Sequence, residues 1–292
     1  MTDTMHTDAA EKPAALGRLH TFVINLAHDT GKKGAMQQKC ADANIAVTFI
    51  EAIDGKELPD EMIAEVYAKQ NALNYFGREL TRGEIGTVLS HLNVCRNLIE
   101  QNIDIALILE DDVLCRFDDE DLGRMFGALP QDWECVLLGH HTKRSRDLDA
   151  LASFWSRKKM SGRYSCARFA EQPFGAYAYL VNRSGARKII ANFESIDRPI
   201  DHWSDKVLNL YGIWPSLVKV DEHLSDSSNL AGDREAMRSR TYRTPFEKLK
   251  DRVRYGLTKI RLLEAYFGAR NFLLQFRPLP RYELPSQNGA DK

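Results

Sequence analysis

The sequence predicts an α/β protein with a mainly parallel sheet covered by helices, and three observations carry that prediction. Ile105-Ala106-Leu107-Ile108-Leu109 is an unbroken apolar run, as in a strand buried on both faces. Short runs of this kind alternate with stretches of helical period, the pattern of a parallel sheet with crossover helices, and no internal repeat interrupts it. At 292 residues the chain can hold one large α/β domain and an appendage.

The elements follow in order. Residues 1 to 17 read as a disordered leader, polar and without the apolar segment of a secretory signal. Thr21 to Leu26 is a first strand, residues 30 to 43 a Lys-rich helix, and Ile45 to Ile50 a second strand. Asp54-Gly55 signals a turn. Pro59 to Gln70 carries Met62, Ile63, Val66 and Tyr67 at helical spacing. A helix from about 82 to 100 opens with Thr81 and Glu84 at capping-box spacing. Its apolar face includes Ile85, Val88, Leu92, Cys95 and Leu98, with Ser90 and His91 assigned to the polar side. Gly83 and Gly86 each weaken it by up to about 1 kcal/mol relative to Ala, which suggests close approach of a ligand to the backbone. Cys135 to Gly139 and Ala176 to Val181 are further strands, the latter followed by a helix through Ala186 to Asn192. Residues 140 to 172 are basic and polar, as in a mobile loop over a site.

The expected domains are the leader (1–17), a catalytic unit (18–230), and a linker with a basic tail (231–292). The tail helix opens at Thr244-Pro245-Phe246-Glu247 and carries a stripe of Phe246, Leu249, Val253, Leu257, Ile260, Leu263 and Phe267. Arg234 to Arg281 holds thirteen Lys/Arg against four Asp/Glu, a difference of +9 hidden inside a net charge of −1. Such a basic amphipathic helix commonly lies on an anionic membrane surface, and the alternative is packing on the catalytic unit. Five cysteines without a C-x-x-C pair speak against a disulfide scaffold and a structural zinc site, and fit reduced thiols of the cytosol. No stretch reaches the length of a transmembrane helix, so the expected location is cytoplasmic, peripheral on the inner face of the membrane. Nucleic acid is not among the expected partners.

The chemistry concentrates at Glu110-Asp111-Asp112, which ends the apolar run. Ligands in open α/β sheets bind beyond the carboxyl ends of the strands. Three adjacent carboxylates repel one another, and a hard divalent cation, Mg²⁺ or Mn²⁺, relieves the repulsion. Alternate residues of an extended chain share a face, so Glu110 and Asp112 converge while Asp111 turns away. The plainer alternative is an acidic loop after a strand.

Five segments in order then resemble glycosyltransferase family 25, the bacterial lipooligosaccharide galactosyltransferase type related to animal collagen galactosyltransferases. They are Val23 to Leu26, Glu51 to Gly55, Leu80 to His91, Ile108 to Val113, and Gly175 to Val181 with Gly185-Ala186. The likeness covers roughly residues 18 to 230. It implies a GT-A-like fold and an inverting, metal-dependent transfer of a hexose, galactose first, from a UDP-sugar to a lipid-linked or oligosaccharide acceptor. It also implies metal and ribose contacts from Glu110, Asp111 and Asp112, with Asp112 the direct ligand and Glu110 the second. The chain departs from the family after the first strand, where Lys32 or Lys33 stands in place of arginine for phosphate.

Asn25, Asp54 and Arg82, at strand ends or the helix start, are the expected donor contacts. The general base is expected in Pro199-Ile200-Asp201-His202-Trp203-Ser204-Asp205, a segment resembling the family's proline-then-acid motif, with Asp201 first and Asp205 second. An N-cap is the alternative for Asp201. Glu84 is a third catalytic candidate, with capping at least as good an account of it. His140 and His141 can bind metal or phosphate, although loop histidines usually face solvent. Two other functions stay open, a metal-dependent sugar nucleotidyltransferase and a non-catalytic membrane scaffold. The first lacks a Gly-rich phosphate loop near the first strand, and the second leaves the acid cluster unexplained.

Overall fold

A computed structural model describes residues 19–221 except 116, 118, 144, 161, 204 and 205, and the backbone only at 119–121 and 124. The leader, Asp205 and the basic tail from Thr244 lie outside the described residues. In chain order the elements are β1 (Leu19–Asn25), α1 (Thr30–Asp42), β2 (Val47–Glu51), α2 (Asp60–Val66), α3 (Lys69–Phe76), α4 (Arg82–Glu100), β3 (Ile105–Glu110) and β4 (Val113–Cys115). There follow α5 (Asp119–Phe126), β5 (Cys135–Leu137), β6 (Lys158–Lys159), β7 (Ser165–Ala167), β8 (Ala178–Asn182), α6 (Arg183–Asn192), β9 (Leu210–Trp214) and β10 (Val218–Val220).

Eight strands form one sheet in the order β2-β1-β3-β8-β5-β9-β7-β6, and β4 pairs with β10 in a separate ribbon. β1 runs parallel to β2 and β3, and β5 parallel to β9. β8 lies antiparallel between β3 and β5, and β7 is antiparallel to β9 and β6. The sheet is thus mixed and mainly parallel.

The apolar run explains why helices cover both faces. Ala106 and Ile108 pack with α4 and α6 residues such as Ile85, Val88 and Ile189, while Leu107 and Leu109 pack on the other face with Met36 and Leu122. Each of the Ile, Leu, Val and Met side chains among these contributes about 1.5–3 kcal/mol when fully buried. The cysteines Cys40, Cys95, Cys135 and Cys166 are buried and Cys115 is partly so, all of them free thiols.

Three expectations change. The single helix over Pro59 to Gln70 is two helices, because Tyr67 leaves the helix to bridge Ile196 while its hydroxyl accepts from Leu80 N at 2.9 Å. Residues 140–172 are not one open loop, since β6 and β7 extend the sheet from within it. Ser90 and His91 face inward, 2% and 0% exposed.

Candidate active site

The acid cluster sits where β3 ends, beside the end of β1. Asn25 closes β1, and its amide donates to Asp111 Oδ2 at 2.7 Å and to Asp29 O at 3.1 Å. Asp29 caps α1 by accepting from Lys32 N, and the Lys32 ammonium stands 3.8 Å from Asp111 Oδ1. Lys33 instead lies over the Phe49 ring, so Lys32 is the lysine of this pair that lines the cleft. Burial holds the Asp111 carboxyl above its ordinary pKa, against the lowering pull of Asn25 and Lys32.

Glu110 is fixed from two sides. Its backbone N donates to Tyr177 O at 2.9 Å, and His91 Nε2 lies 3.3 Å from its Oε1. His91 Nδ1 is 3.0 Å from the Tyr179 hydroxyl, whose pKa burial pushes well above the ordinary phenol value. A carboxylate only accepts, so a neutral His91 carries its proton on Nε2 and accepts from Tyr179 at Nδ1. His91 therefore positions a member of the acid cluster. Sequence reasoning missed it, although its spacing of three from Val88 and four to Cys95 puts it on the inward face of α4.

Asp112 is the least satisfied of the three. Its carbonyl accepts from Asp221 N at 2.7 Å, beside the β4–β10 ribbon, while its Oδ1 is buried without a hydrogen-bond partner. Burial first, then the charges of Glu110 and Asp111, push its pKa up to about 7. An unpartnered buried carboxylate oxygen is costly, and a hard cation relieves both that cost and the repulsion. Among the described residues no group of three His, Cys, Asp or Glu side chains could hold a metal. Glu110 and Asp112 nevertheless fit one, because Mg²⁺ is commonly held by one or two carboxylates while substrate phosphates supply further ligands.

Asp54 is delivered by a backbone interlock. A Cβ on Gly86 would stand 2.5 Å from Gly55 N and 2.6 Å from Ile53 O, and one on Gly55 would collide with the Arg82 carbonyl. The close approach expected at Gly86 is therefore to the 53–55 loop and not to a ligand. Ser90 Oγ accepts from Ile53 N at 2.8 Å and donates to Gly86 O at 2.7 Å. Arg82, expected at the donor, braces the same loop through Gly55 O (3.1 Å), Leu58 O and Asp60 (2.6 Å) and does not line the cleft. The Glu84 carboxylate accepts from Arg78 at 2.7 and 2.8 Å and from Thr81 N at 3.0 Å, completing the capping box. Its geometry serves capping.

A cleft of about 240 Å³ gathers Asn25, Lys32, Asp54, Glu84, Glu110, Asp111, Asp112, His141, Arg146, Tyr177 and Asp201. Asp201 lies in a turn closed by His202 N to Pro199 O at 3.1 Å. Among the described residues, those after it lead into β9 and form no helix, so the N-cap alternative has nothing to cap. His141 Nδ1 donates to Thr142 O at 2.9 Å, leaving Nε2 as the acceptor of the neutral ring, and burial lowers its pKa. His140 is structural: fully buried, it lies 3.0 Å from Ile213 O and accepts from Ala150 N, and its pKa falls to about 4.

A family model described as Glycosyltransferase family 25 (LPS biosynthesis protein) matches residues 18–204. The chain belongs to that family. It is 24% identical over 270 residues to procollagen galactosyltransferase 1-B of Xenopus laevis, covering 82% of this chain and 42% of that protein. It is also 26% identical over 193 residues to the probable inactive glycosyltransferase 25 family member 3 of Rattus norvegicus, covering 62% of this chain and 31% of that one. The chain thus spans less than half the length of these relatives. A solved glycosyltransferase involved in glycosylation of the major capsid of PBCV-1 aligns at 6% identity and a TM-score of 0.30 over 60% of this chain and 64% of that one, too slight a likeness to carry an argument. Because family 25 includes a member whose name reads "probable inactive", the case for activity rests on the residues of this cleft.

Proposed function

We propose that this chain transfers a hexose, galactose first, from a UDP-sugar to a glycan acceptor, with inversion and with Mn²⁺ or Mg²⁺ held by Glu110 and Asp112. The observation that carries the proposal is the partnerless buried Oδ1 of Asp112 inside a triple-acid cluster beside Lys32. A divalent cation bound there supplies Lewis-acid neutralisation of the leaving diphosphate. The chain's own residues do the rest. Lys32 presents an ammonium for phosphate, free of the bidentate geometry of arginine. Asn25 and Lys32 hold Asp111 toward the donor, and Asp54 contributes from its interlocked loop. Asp201 takes the proton of the acceptor hydroxyl.

Galactose is favoured by relatives named procollagen galactosyltransferases, and an acceptor of the lipopolysaccharide class by the family description. A lipid-linked acceptor goes with a peripheral cytoplasmic location, the basic tail beyond Thr244 resting on an anionic membrane. The absence of a Gly-rich loop after β1 fits sugar-nucleotide use better than its synthesis. The test is incubation with UDP-galactose, UDP-glucose and UDP-N-acetylglucosamine, with Mn²⁺ or with EDTA, following UDP release. UDP release that requires metal and is fastest with UDP-galactose is expected. Full activity in EDTA would remove the metal, and UDP-sugar formation from UTP and a sugar 1-phosphate would replace the transferase reading.

A further inference from the structure

Beyond Asp201 a row of rings leads out of the cleft, and the chemistry above uses none of it. Tyr177 and His141 line the cleft and stack with centroids 6.4 Å apart and planes 4° from parallel. His141 stacks on Phe174 at 6.1 Å, Phe174 meets His202 edge-on at 5.2 Å, and His202 meets Tyr75 at 6.1 Å. Four separate segments contribute: the end of α3, residue 141, residues 174–177 and residue 202. Tyr177 is buried, the three middle rings are half-buried, and Tyr75 is 54% exposed, so the row runs from interior to solvent. His202 directly follows Asp201 in the chain. Burial lowers the pKa of both histidines, so both are neutral rings at neutral pH.

Half-exposed aromatic rings that continue a cleft fit a ligand with one apolar face and a polar rim. A pyranose has that form, with C–H groups on one face and hydroxyls around the edge. Those weakly positive C–H groups meet the negative faces of the rings. A lipid chain would leave the polar edges of the histidines and Asp201 unpaired, which makes it the poorer fit. We propose that the row Tyr177–His141–Phe174–His202–Tyr75 is the acceptor subsite, holding a hexopyranose unit of the acceptor glycan so that a hydroxyl reaches Asp201. This rests on the transferase reading for the role of Asp201, while sugar binding by the row can be tested apart from it.

The experiment uses the 292-residue chain with Mn²⁺ and UDP, and saturation-transfer NMR with lactose, cellobiose and N,N′-diacetylchitobiose as probes. Wild type, Phe174→Ala, Tyr75→Ala and the control Trp155→Ala are compared, the last removing an aromatic that is 77% exposed elsewhere on the chain. Saturation of sugar ring protons is expected in wild type and Trp155→Ala, with affinity lowered about tenfold in the other two. UDP affinity by calorimetry should be the same in all four. Tyr75→Ala changes a side chain more than half exposed, so it serves if Phe174→Ala fails to fold. Equal saturation in all four proteins, or none from wild type with any probe, overturns the subsite. Sugar binding that follows the row in a protein with no affinity for UDP would uphold the subsite and overturn the donor reading instead.

Discussion

Asp112→Asn should raise the stability of the metal-free protein while abolishing transfer. Burial and the neighbouring acids lift this carboxyl from 3.8 to about 7. A carboxyl whose folded pKa lies above its unfolded one penalises folding once pH exceeds the unfolded value. The penalty grows upward from pH 3.8 and is complete above about pH 7. Its full size is about 4 kcal/mol, at about 1.4 kcal/mol per pH unit, and roughly 3 kcal/mol of it accrues between pH 5 and 8. Asparagine keeps the shape and removes the charge. Urea unfolding in EDTA should therefore favour the variant over wild type at pH 8 by about 3 kcal/mol more than at pH 5. Saturating Mn²⁺ should reverse the order by stabilising wild type alone. A variant less stable than wild type by the same amount at both pH values, or one that still transfers sugar at the wild-type rate, would refute the reasoning.

Asp201→Asn should lower kcat by about 10²–10⁴ with donor KM unchanged, whereas a collapse of UDP-sugar affinity at constant kcat would move Asp201 to the donor site. His91→Ala should weaken Mn²⁺ binding, read by electron paramagnetic resonance, about 10–100-fold, and His91→Gln, which can still offer an N–H to Glu110, should recover part of the loss. Gly86→Ala pushes a methyl into Gly55 N and Ile53 O. It should cost about 1–3 kcal/mol and raise donor KM by displacing Asp54, and wild-type KM in a folded variant would detach Asp54 from the donor. Truncation before Thr244 should leave turnover on a small soluble acceptor but lessen sedimentation with anionic vesicles, more so at low salt. Equal sedimentation of both forms would refute anchoring through the tail.

The acid cluster of the cleft was legible in the sequence, because it depends on short-range signals. The capping box at Thr81 and Glu84 sets the start of α4 at Arg82, and the apolar run ending in Glu110-Asp111-Asp112 announces both a buried strand and what it carries. Strand direction was not legible. Ala178 to Asn182 has the same apolar character whether it runs with or against β3, and only its pairing reveals it as antiparallel. Gly86 of α4 has a neighbour that no local pattern reveals, since the Asp54-Gly55 turn lies about thirty residues away in sequence. Histidine is polar by type, which points His91 outward in the sequence, while its position on α4 is an inward one. The row from Tyr75 to Tyr177 draws on four segments, and no local pattern predicts its assembly.

The placement of β8 between β3 and β5 has a consequence for how the chain matures during synthesis. β2, β1 and β3, with α1 and α4, are complete once residue 110 has been made, and the parallel pairings among them need nothing later in the chain. The neighbour that covers the other edge of β3 arrives only with residues 178–182. At about 5–20 residues per second, that edge waits on the order of several seconds beside the ribosome with its backbone donors and acceptors bare. An open edge on so apolar a strand is a template for pairing between nascent chains. Nascent chains arrested between residues 110 and 178 should therefore be the forms most dependent on chaperones, and release of residue 182 should end that dependence.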